Sequence, residues 1–382
     1  MDFTWLVPRD REEKMNKKNI LRNPGFQSFL ASIICILLGL LVGYIALLII
    51  NPAGAGEAIL AVLKNFMNFP SAPAAKKYLG GTLVSFAPLL MCSLSILFAY
   101  KVGFFNIGAA GQYVVGAAAA LYCAIAFQWN WFFCTVAAVV VGIIWGTIAG
   151  LLKAYCSVNE VISGIMLNWI GLYLTNSLLA QVKDPMTPYT FNLNDVNPSA
   201  KIPSLGLEKL FSNNQYVTIA IPLAVVMAIL IWIMLDKSRI GFELKATGFN
   251  KNAAKYCGMN ENKNTILALA ISGGLAGMGA AFQYLSGIEQ WATTQTSVPA
   301  MGFNGIAASF LGGLSPIGAI FSSYFIQHIT NGGGYVDKMV YCSQISDFIS
   351  AIIIYMCGFV FFFKLWLNRI LDKREEKKGG NK

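Results

Sequence analysis

The sequence predicts an all-α fold: a polytopic transmembrane helical bundle of about ten helices, some of them short or broken. Three observations carry that prediction. Over 382 residues, 56% are hydrophobic and only 12% charged, an apolar excess and a charge deficit that one soluble domain does not show. The charges are also gapped. No Asp, Glu, Lys or Arg stands between Arg22 and Glu57, Lys101 and Lys153, Lys263 and Glu289, or Glu289 and Asp337, and each gap holds one or two apolar runs of ~20 residues. Finally, the runs are long and continuous. Helices satisfy their backbone internally in lipid, whereas barrel strands would show short alternating segments.

In chain order, spans are expected near 28–50, 79–100, 104–127, 131–153, 160–181, 216–235, 264–287, 300–313, 316–332 and 345–366, all within a transmembrane region 28–366. A basic tail, residues 1–27, precedes them and a second, 367–382, follows. The first apolar run is too long for a signal-peptide core and lacks a small-residue cleavage site, so the tail is read as retained. With an even number of crossings, both tails and the segment 236–263 fall on the inner side. The positive-inside rule agrees: 21 of the 28 Lys and Arg lie in or beside the inner segments, against 11 of the 18 acids. The whole net charge of +10 is then cytoplasmic, which points to orientation and anionic membrane lipid rather than to nucleic acid.

Between the spans, two segments stand out. The longest outer loop, 182–215, is rich in Asn, Pro and Ser, and either receives an external partner or simply connects two helices. The longest inner segment, 236–263, is either a solvated loop or a docking helix. Asn250 suits an N-cap, Lys251 to Cys257 make about two turns with Ala253, Ala254 and Cys257 on one face, and Gly258 suits the C′ position. Glycine organises the spans themselves. Gly142, Gly146 and Gly150 recur every four residues, and Gly273, Gly274, Gly277 and Gly279 cluster; both sets read as close helix packing. In "GFNGIAASFLGGLSPIGAIFSSYF", Gly302 to Phe325, the run Gly312, Gly313, Ser315, Pro316 breaks a continuous apolar stretch. Two short helices and a tight turn are expected, aiming helix ends and free backbone groups into a cavity.

Several chemistries are missing. The chain has no G-x-x-x-x-G-K-[ST] loop and so no P-loop of its own. The eight cysteines are dispersed without a C-x-x-C pair, which argues for packing rather than a metal or disulfide frame. The single histidine, His328, is expected to be structural, and Glu160 and Asp347 are each explained by a helix start. A proton relay, a catalytic group and a cofactor site all lack material. Neutral polar residues remain inside the spans: Asn106, Gln112, Asn168, Asn176, Gln181, Gln283, Tyr284 and Asn304. They suit a pathway for an uncharged, hydrogen-bonding solute, or they tie helices together. Asn106 and Asn304, each beside glycines that expose backbone, favour the pathway.

Four stretches in order carry a resemblance: "GFFNIGAAGQYVVGA", "VNEVISGIMLNWIGLYL" (Val158 to Leu174), "ELKATGFNKNAAKYCGMN" (Glu243 to Asn260) and "GFNGIAASFLGG". The chain resembles the permease subunits of bacterial ABC importers in the branched-chain amino acid and ribose group, in the nucleoside and simple-sugar branch served by Bmp-type lipoproteins. The resemblance covers about residues 80 to 325. It implies a permease, not an enzyme, working with an ABC ATPase subunit, a second homologous permease subunit and an extracellular solute-binding lipoprotein. Candidates for the translocation pathway are Asn106, Gly108, Gly111, Gln112, Glu160, Asn168 and Asn304. Those for ATPase coupling are Glu243, Lys245, Ala246, Gly248, Asn250, Ala253, Ala254 and Gly258. The chain departs from the family pattern where Lys245 replaces an Arg, Lys251 a frequent Pro and Ala110 a frequent Glu. Nucleosides are the first expectation for the small polar solute, simple sugars the second; a secondary transporter or channel would also show ten spans, but without an ATPase.

Overall fold

The structure is a computed structural model that describes residues 24–337, 341, 348–349, 351–352, 355–356 and 358–379. Residues 1–23 of the expected N-terminal tail, Cys342, and residues 345–347 (with Asp347), 350, 353–354 and 357 (Cys357) of the expected span 345–366 lie outside the described residues. Those described form a helical bundle, in chain order α1 (Pro24–Ile50), α2 (Ala55–Lys64), α3 (Ala72–Lys101), α4 (Ala109–Ile125), α5 (Trp131–Cys156), α6 (Glu160–Leu179), α7 (Ala220–Lys237), α8 (Arg239–Phe249), α9 (Lys251–Tyr256), α10 (Glu261–Tyr284), α11 (Ala300–Leu311), α12 (Pro316–Gly333) and α13 (Val360–Gly379).

Six of these are long and apolar enough to cross a membrane: α1, α3, α5, α6 with the turn that follows it, α7 and α10. Of the other expected spans, α4 and α11 are shorter apolar helices, whereas α12 runs the length expected for it. Instead of a span over 104–127, residues 104–108 leave the helical path, and α4 begins only at Ala109. α4 is buried along nearly its whole length, so it can be shorter than the bilayer because other helices, not lipid, surround it. α11 and α12 are the expected broken pair, with Gly313 (φ +63°) and Leu314 (φ +54°) turning the chain between them.

Helix starts follow their capping side chains. Asn130 accepts from Phe132 and Phe133 N–H, Asn159 from Val161, Ser238 from Gly241, Asn250 from Ala253 and Asn260 from Lys263, at 2.8–3.2 Å. Each satisfies a backbone donor that the first turn leaves open.

The centre of the bundle is α3, α4 and α10. The apolar window of α3 is 89% buried, whereas that of α1 is 22% buried and turns most of its surface outward. The buried face of α5 is a stripe of small residues, Cys134, Ala138, Gly142, Gly146 and Gly150, and it lies on α10. A Cβ on Gly142 would fall on the carbonyl oxygen of Gly273, one on Gly146 on that of Leu269, and one on Gly277 on that of Ala138. The four-residue glycine spacing is therefore a contact between backbones, where dispersion between close atoms replaces the hydrophobic drive absent in lipid.

The segment 182–215, expected from the sequence as an outer loop, packs across one end of the bundle. Asn197 donates to the carbonyls of Ala124 (2.8 Å) and Trp129 (2.9 Å), and Ile202 N–H to Leu285 O at 3.0 Å. The segment after α10 joins it. Trp291, fully buried, donates from Nε1 to Asn176 Oδ1 at 2.8 Å, and Asn176 Nδ2 reaches Gln295 O at 2.8 Å. His328 bridges helices, its Nε2 being 2.9 Å from Leu63 O and its Nδ1 3.3 Å from Asn65 Nδ2.

Candidate functional site

The non-helical turn 102–108 between α3 and α4 has a polar centre on one side and the α8–α9 segment on the other. Asn106 is its polar residue. Its Nδ2 donates to Gln112 Oε1 at 2.8 Å and to Ser272 Oγ at 2.6 Å, while Gln112 Nε2 returns a bond to Asn106 Oδ1 at 3.4 Å. Ser272 donates in turn to Ser95 O at 2.8 Å, and the two serine hydroxyls lie 2.9 Å apart. All four side chains are buried, and this uncharged network joins α3, the turn, α4 and α10. Buried amides tolerate such a place because each donor finds an acceptor without a charge to desolvate.

The start of α4 meets α6 through backbone. A Cβ on Gly164 would sit 2.8 Å from Gly108 N, and one on Gly111 2.7 Å from Asn168 Cα. That proximity lets Asn168 Oδ1 accept from Gly111 N–H at 2.7 Å while its Nδ2 donates to Ile107 O at 3.1 Å. Asn168 thus caps α4 from another helix, closing one of its orphan first-turn donors. On the opposite side α11 lies on α4, where a Cβ on Gly302 would be 2.7 Å from the Ala110 methyl. Ala110 is buried, so a longer side chain there would have to push α11 away.

The expected pathway residues therefore divide. Asn106, Gly108, Gly111, Gln112 and Asn168 converge on the first turn of α4 and bond to one another or to backbone. Asn304, on α11, is half-buried and its side chain makes no hydrogen bond among the described residues. Glu160 stands apart, at the first turn of α6, with Lys153 Nζ at 2.7 Å from its carboxylate.

The α8–α9 segment forms the two short helices hinged at Asn250. Glu243 pairs with Arg239 (2.8 Å) and Lys245 with Asp236 (3.1 Å). Thr247, fully buried, accepts from Asn264 Nδ2 at 2.8 Å, which fastens α8 to α10. Ala246 is half-buried beside it, and Gly258 ends α9 with φ +81°. Of the three small residues expected on one face of α9, only Ala254 turns inward; Ala253 and Cys257 are exposed, because a two-turn helix lying on the bundle buries one side chain per turn at most. Gly248 touches the turn itself: a Cβ there would overlap Val102 O, and one on Gly103 (φ +85°) would sit 2.7 Å from Gly248 Cα. Lys251 Nζ lies 5.9 Å from the centre of the Phe104 ring. Along the chain only Phe105 then separates Phe104 from Asn106. Outward, Phe249 is 95% exposed and Tyr256 93% exposed.

Sequence reading missed Ser95 and Ser272, since a serine in an apolar helix carries no signal of its partner 177 residues away. It also missed the Thr247–Asn264 bond, for the same reason.

Comparison with known proteins is consistent with this architecture. The family model described as "Branched-chain amino acid transport system / permease component" matches residues 78–358. The chain is 32% identical over 309 residues to the guanosine ABC transporter permease protein NupP of Bacillus subtilis, covering 80% of this chain and 86% of that one. It is 28% identical over 373 residues to the nucleoside ABC transporter permease protein NupB of Lactococcus lactis subsp. cremoris, covering 94% and 100%. The glucose ABC transporter permease protein TsgB13 of Haloferax volcanii is 27% identical over 335 residues, 82% of each chain. No solved structure matches.

Proposed function

The chain belongs to the family of branched-chain amino acid transport system permease components, and from that premise we propose that it forms the translocation pathway for nucleosides in an ABC importer. A permease of this kind is a multi-pass component of the cell membrane, a transport subunit rather than an enzyme, and works with an ATPase subunit and a binding protein. The missing P-loop fits energy supplied by that separate ATPase. Nucleosides are favoured because NupP and NupB carry guanosine and nucleoside in their names; the similarity to a glucose permease keeps simple sugars as the second reading. The neutral amides of the bundle suit both solutes.

One observation carries the mechanism: Gly248 rests on Val102 and Gly103, at the start of the turn that holds Asn106. The α8–α9 segment receives the ATPase, with Phe249 and Tyr256 as its exposed anchors and Glu243, Lys245, Ala246, Asn250, Ala253, Ala254 and Gly258 shaping the surface. Closure of the ATPase pair pushes this segment against the 102–108 turn, which shifts the first turn of α4 between α6 and α11. The solute passes along the wall these helices present, with Asn304 and Glu160 facing it and Asn106, Gly108, Gly111, Gln112 and Asn168 setting the wall from behind. A second, homologous permease supplies the opposite wall, the tails and α8–α9 lie in the cytoplasm, and the binding lipoprotein docks on the outer loop 182–215.

Uptake of labelled nucleosides by cells with and without the chain tests the substrate. A loss of sugar uptake with nucleoside uptake unchanged reverses the order of the two readings. Gly248→Leu tests the coupling: nucleoside uptake is expected to fall at least roughly tenfold, the effect of displacing a packed backbone contact by a side chain, while capture by the lipoprotein persists. Unaltered uptake in that variant removes the coupling role.

A further inference from the structure

Glu289 is the one Asp, Glu, Lys or Arg between Lys263 and Asp337, and the solute wall described above makes no use of it. It stands in the segment between α10 and α11 with its side chain exposed, and no lysine or arginine pairs with it among the described residues. Its partner is an amide. Gln283, in the last turn of α10 and only 6% exposed, donates from Nε2 to Glu289 Oε2 at 2.7 Å. The contact follows from how α10 ends. Gly287 takes φ +77° and its N–H bonds to Tyr284 O at 3.1 Å, while Ser286 Oγ donates to Gln283 O at 2.6 Å and accepts from Ile288 N–H at 3.4 Å. That turn folds the chain back so that Glu289 meets Gln283. Beneath it the rings of Tyr113 and Tyr284 lie 6.2 Å apart and those of Tyr284 and Trp291 5.8 Å apart, which anchors the end of α10 in the bundle.

A carboxylate fixes which way the amide points, since only its NH₂ donates. Gln283 Oε1 is then a defined acceptor, buried and without a hydrogen-bond partner among the described residues. Such an atom costs free energy until something donates to it. Beside it the Glu289 carboxylate has more lone pairs than one N–H fills, so two acceptor groups stand side by side. Gln283 also shares the face of α10 that meets α3. On that face Ser272 bonds to Ser95, and a Cβ on Gly279 would be 3.1 Å from Pro88 O. Gln283 lies about 16 Å along α10 from Ser272, at the other end of the same seam from the Asn106 network. The segment that bears Glu289 runs on into α11, which carries Asn304.

Neighbouring acceptors match neighbouring hydroxyls. Each hydroxyl of a vicinal diol has one O–H to give, and a carboxylate takes such a bond at short distance. An acidic side chain on a ribose hydroxyl is also how dinucleotide-binding folds hold that sugar. A hard cation such as Ca²⁺ wants about six oxygens or more, and an anion would be repelled by Glu289. We propose that Gln283 and Glu289 form a subsite for the vicinal diol of the solute, with Gln283 Oε1 accepting from one hydroxyl and the Glu289 carboxylate from the other. The proposal rests on the reading of the chain as a solute permease and names the part of the solute that is recognised: the ribose 2′,3′-diol of a nucleoside, or the ring hydroxyls of a sugar. In the orientation proposed above, the subsite lies at the outer mouth of the pathway.

The test uses the complete importer reconstituted in lipid vesicles, with labelled uridine and 2′-deoxyuridine, and with this chain as wild type, Glu289→Gln or Gln283→Met. The wild type is expected to favour uridine. Either substitution is expected to lower the ratio of uridine to 2′-deoxyuridine uptake at least roughly tenfold, the loss of one hydrogen bond that involves a charge or a buried acceptor. Any preference of the binding protein is common to all three chains and cancels from that comparison. Glu57→Gln, at an exposed acid in the first turn of α2, is expected to leave the ratio unchanged. Because a variant can fold badly, a second measurement uses the wild type alone. In saturation-transfer NMR of the full-length chain in detergent, the ribose protons of uridine are expected to receive more saturation than its base protons, and 2′,3′-dideoxyuridine to bind at least roughly tenfold more weakly. A ratio unmoved in both variants, even saturation over sugar and base, or equal binding of the dideoxynucleoside each overturns the proposal. Wild-type uptake of neither nucleoside removes the nucleoside reading instead; the subsite is then decided by the same comparison with glucose and 2-deoxyglucose, where an unmoved ratio overturns it.

Discussion

At the scale of single residues, what matters is which polar groups find partners. Asn168 is the clearest case, accepting from Gly111 N–H and donating to Ile107 O. Asn168→Leu keeps the branching and number of side-chain heavy atoms and removes both bonds, leaving the buried Gly111 N–H and the part-buried Ile107 carbonyl without this partner. The expected cost is about 1–3 kcal/mol, read as a lower melting temperature in detergent, and an unchanged melting temperature refutes the cross-helix cap. Asn106 and Gln112 were conspicuous in the sequence as amides in an apolar run. Their roles were not, because a neutral amide is equally at home on a solute pathway or in an interhelical bond. In the structure their amides are spent on one another and on Ser272, whereas Asn304 keeps its amide unbonded among the described residues.

At the scale of elements, small residues decide which helices approach. The glycines of α5 and α10 recur so regularly that their packing purpose was legible from spacing alone; that they pack on each other was not. Gly146→Val places a branched side chain on Leu269 O and is expected to cost about 1–3 kcal/mol through overpacking. Combined with Gly273→Val, which strikes the same seam, the loss is expected to be less than the sum of the singles, since the first already separates the helices. Strict additivity in thermal unfolding argues against one shared contact. The start of α4 shows the opposite limit. Hydropathy extends that span to residue 104, yet the chain turns at Gly103 and becomes helical only at Ala109. Apolarity reports burial, and a buried turn is as apolar as a buried helix.

At the scale of the whole molecule, the distribution of lysine and arginine predicts which end faces the cytoplasm. Cys257 on the α8–α9 segment and Met186 in the outer loop are both exposed, at opposite ends by that reading. In intact cells, a membrane-impermeant maleimide is expected to label a chain whose one cysteine is Met186→Cys and to spare a chain that keeps Cys257 alone, which reacts after permeabilisation. The reverse pattern inverts the proposed orientation. The all-α membrane class, the order and approximate bounds of most helices, the break at Gly312–Pro316 and the cap at Asn250 are legible along the chain, because hydropathy, capping and turn chemistry act over a few neighbouring residues. Long-range packing alone sets that Ser95 and Ser272 complete the amide network, that Asn168 caps α4, and that Gly248 rests on the turn before Asn106. Each of these joins residues far apart in the chain, and distance along a sequence carries no record of which backbones come close enough to touch.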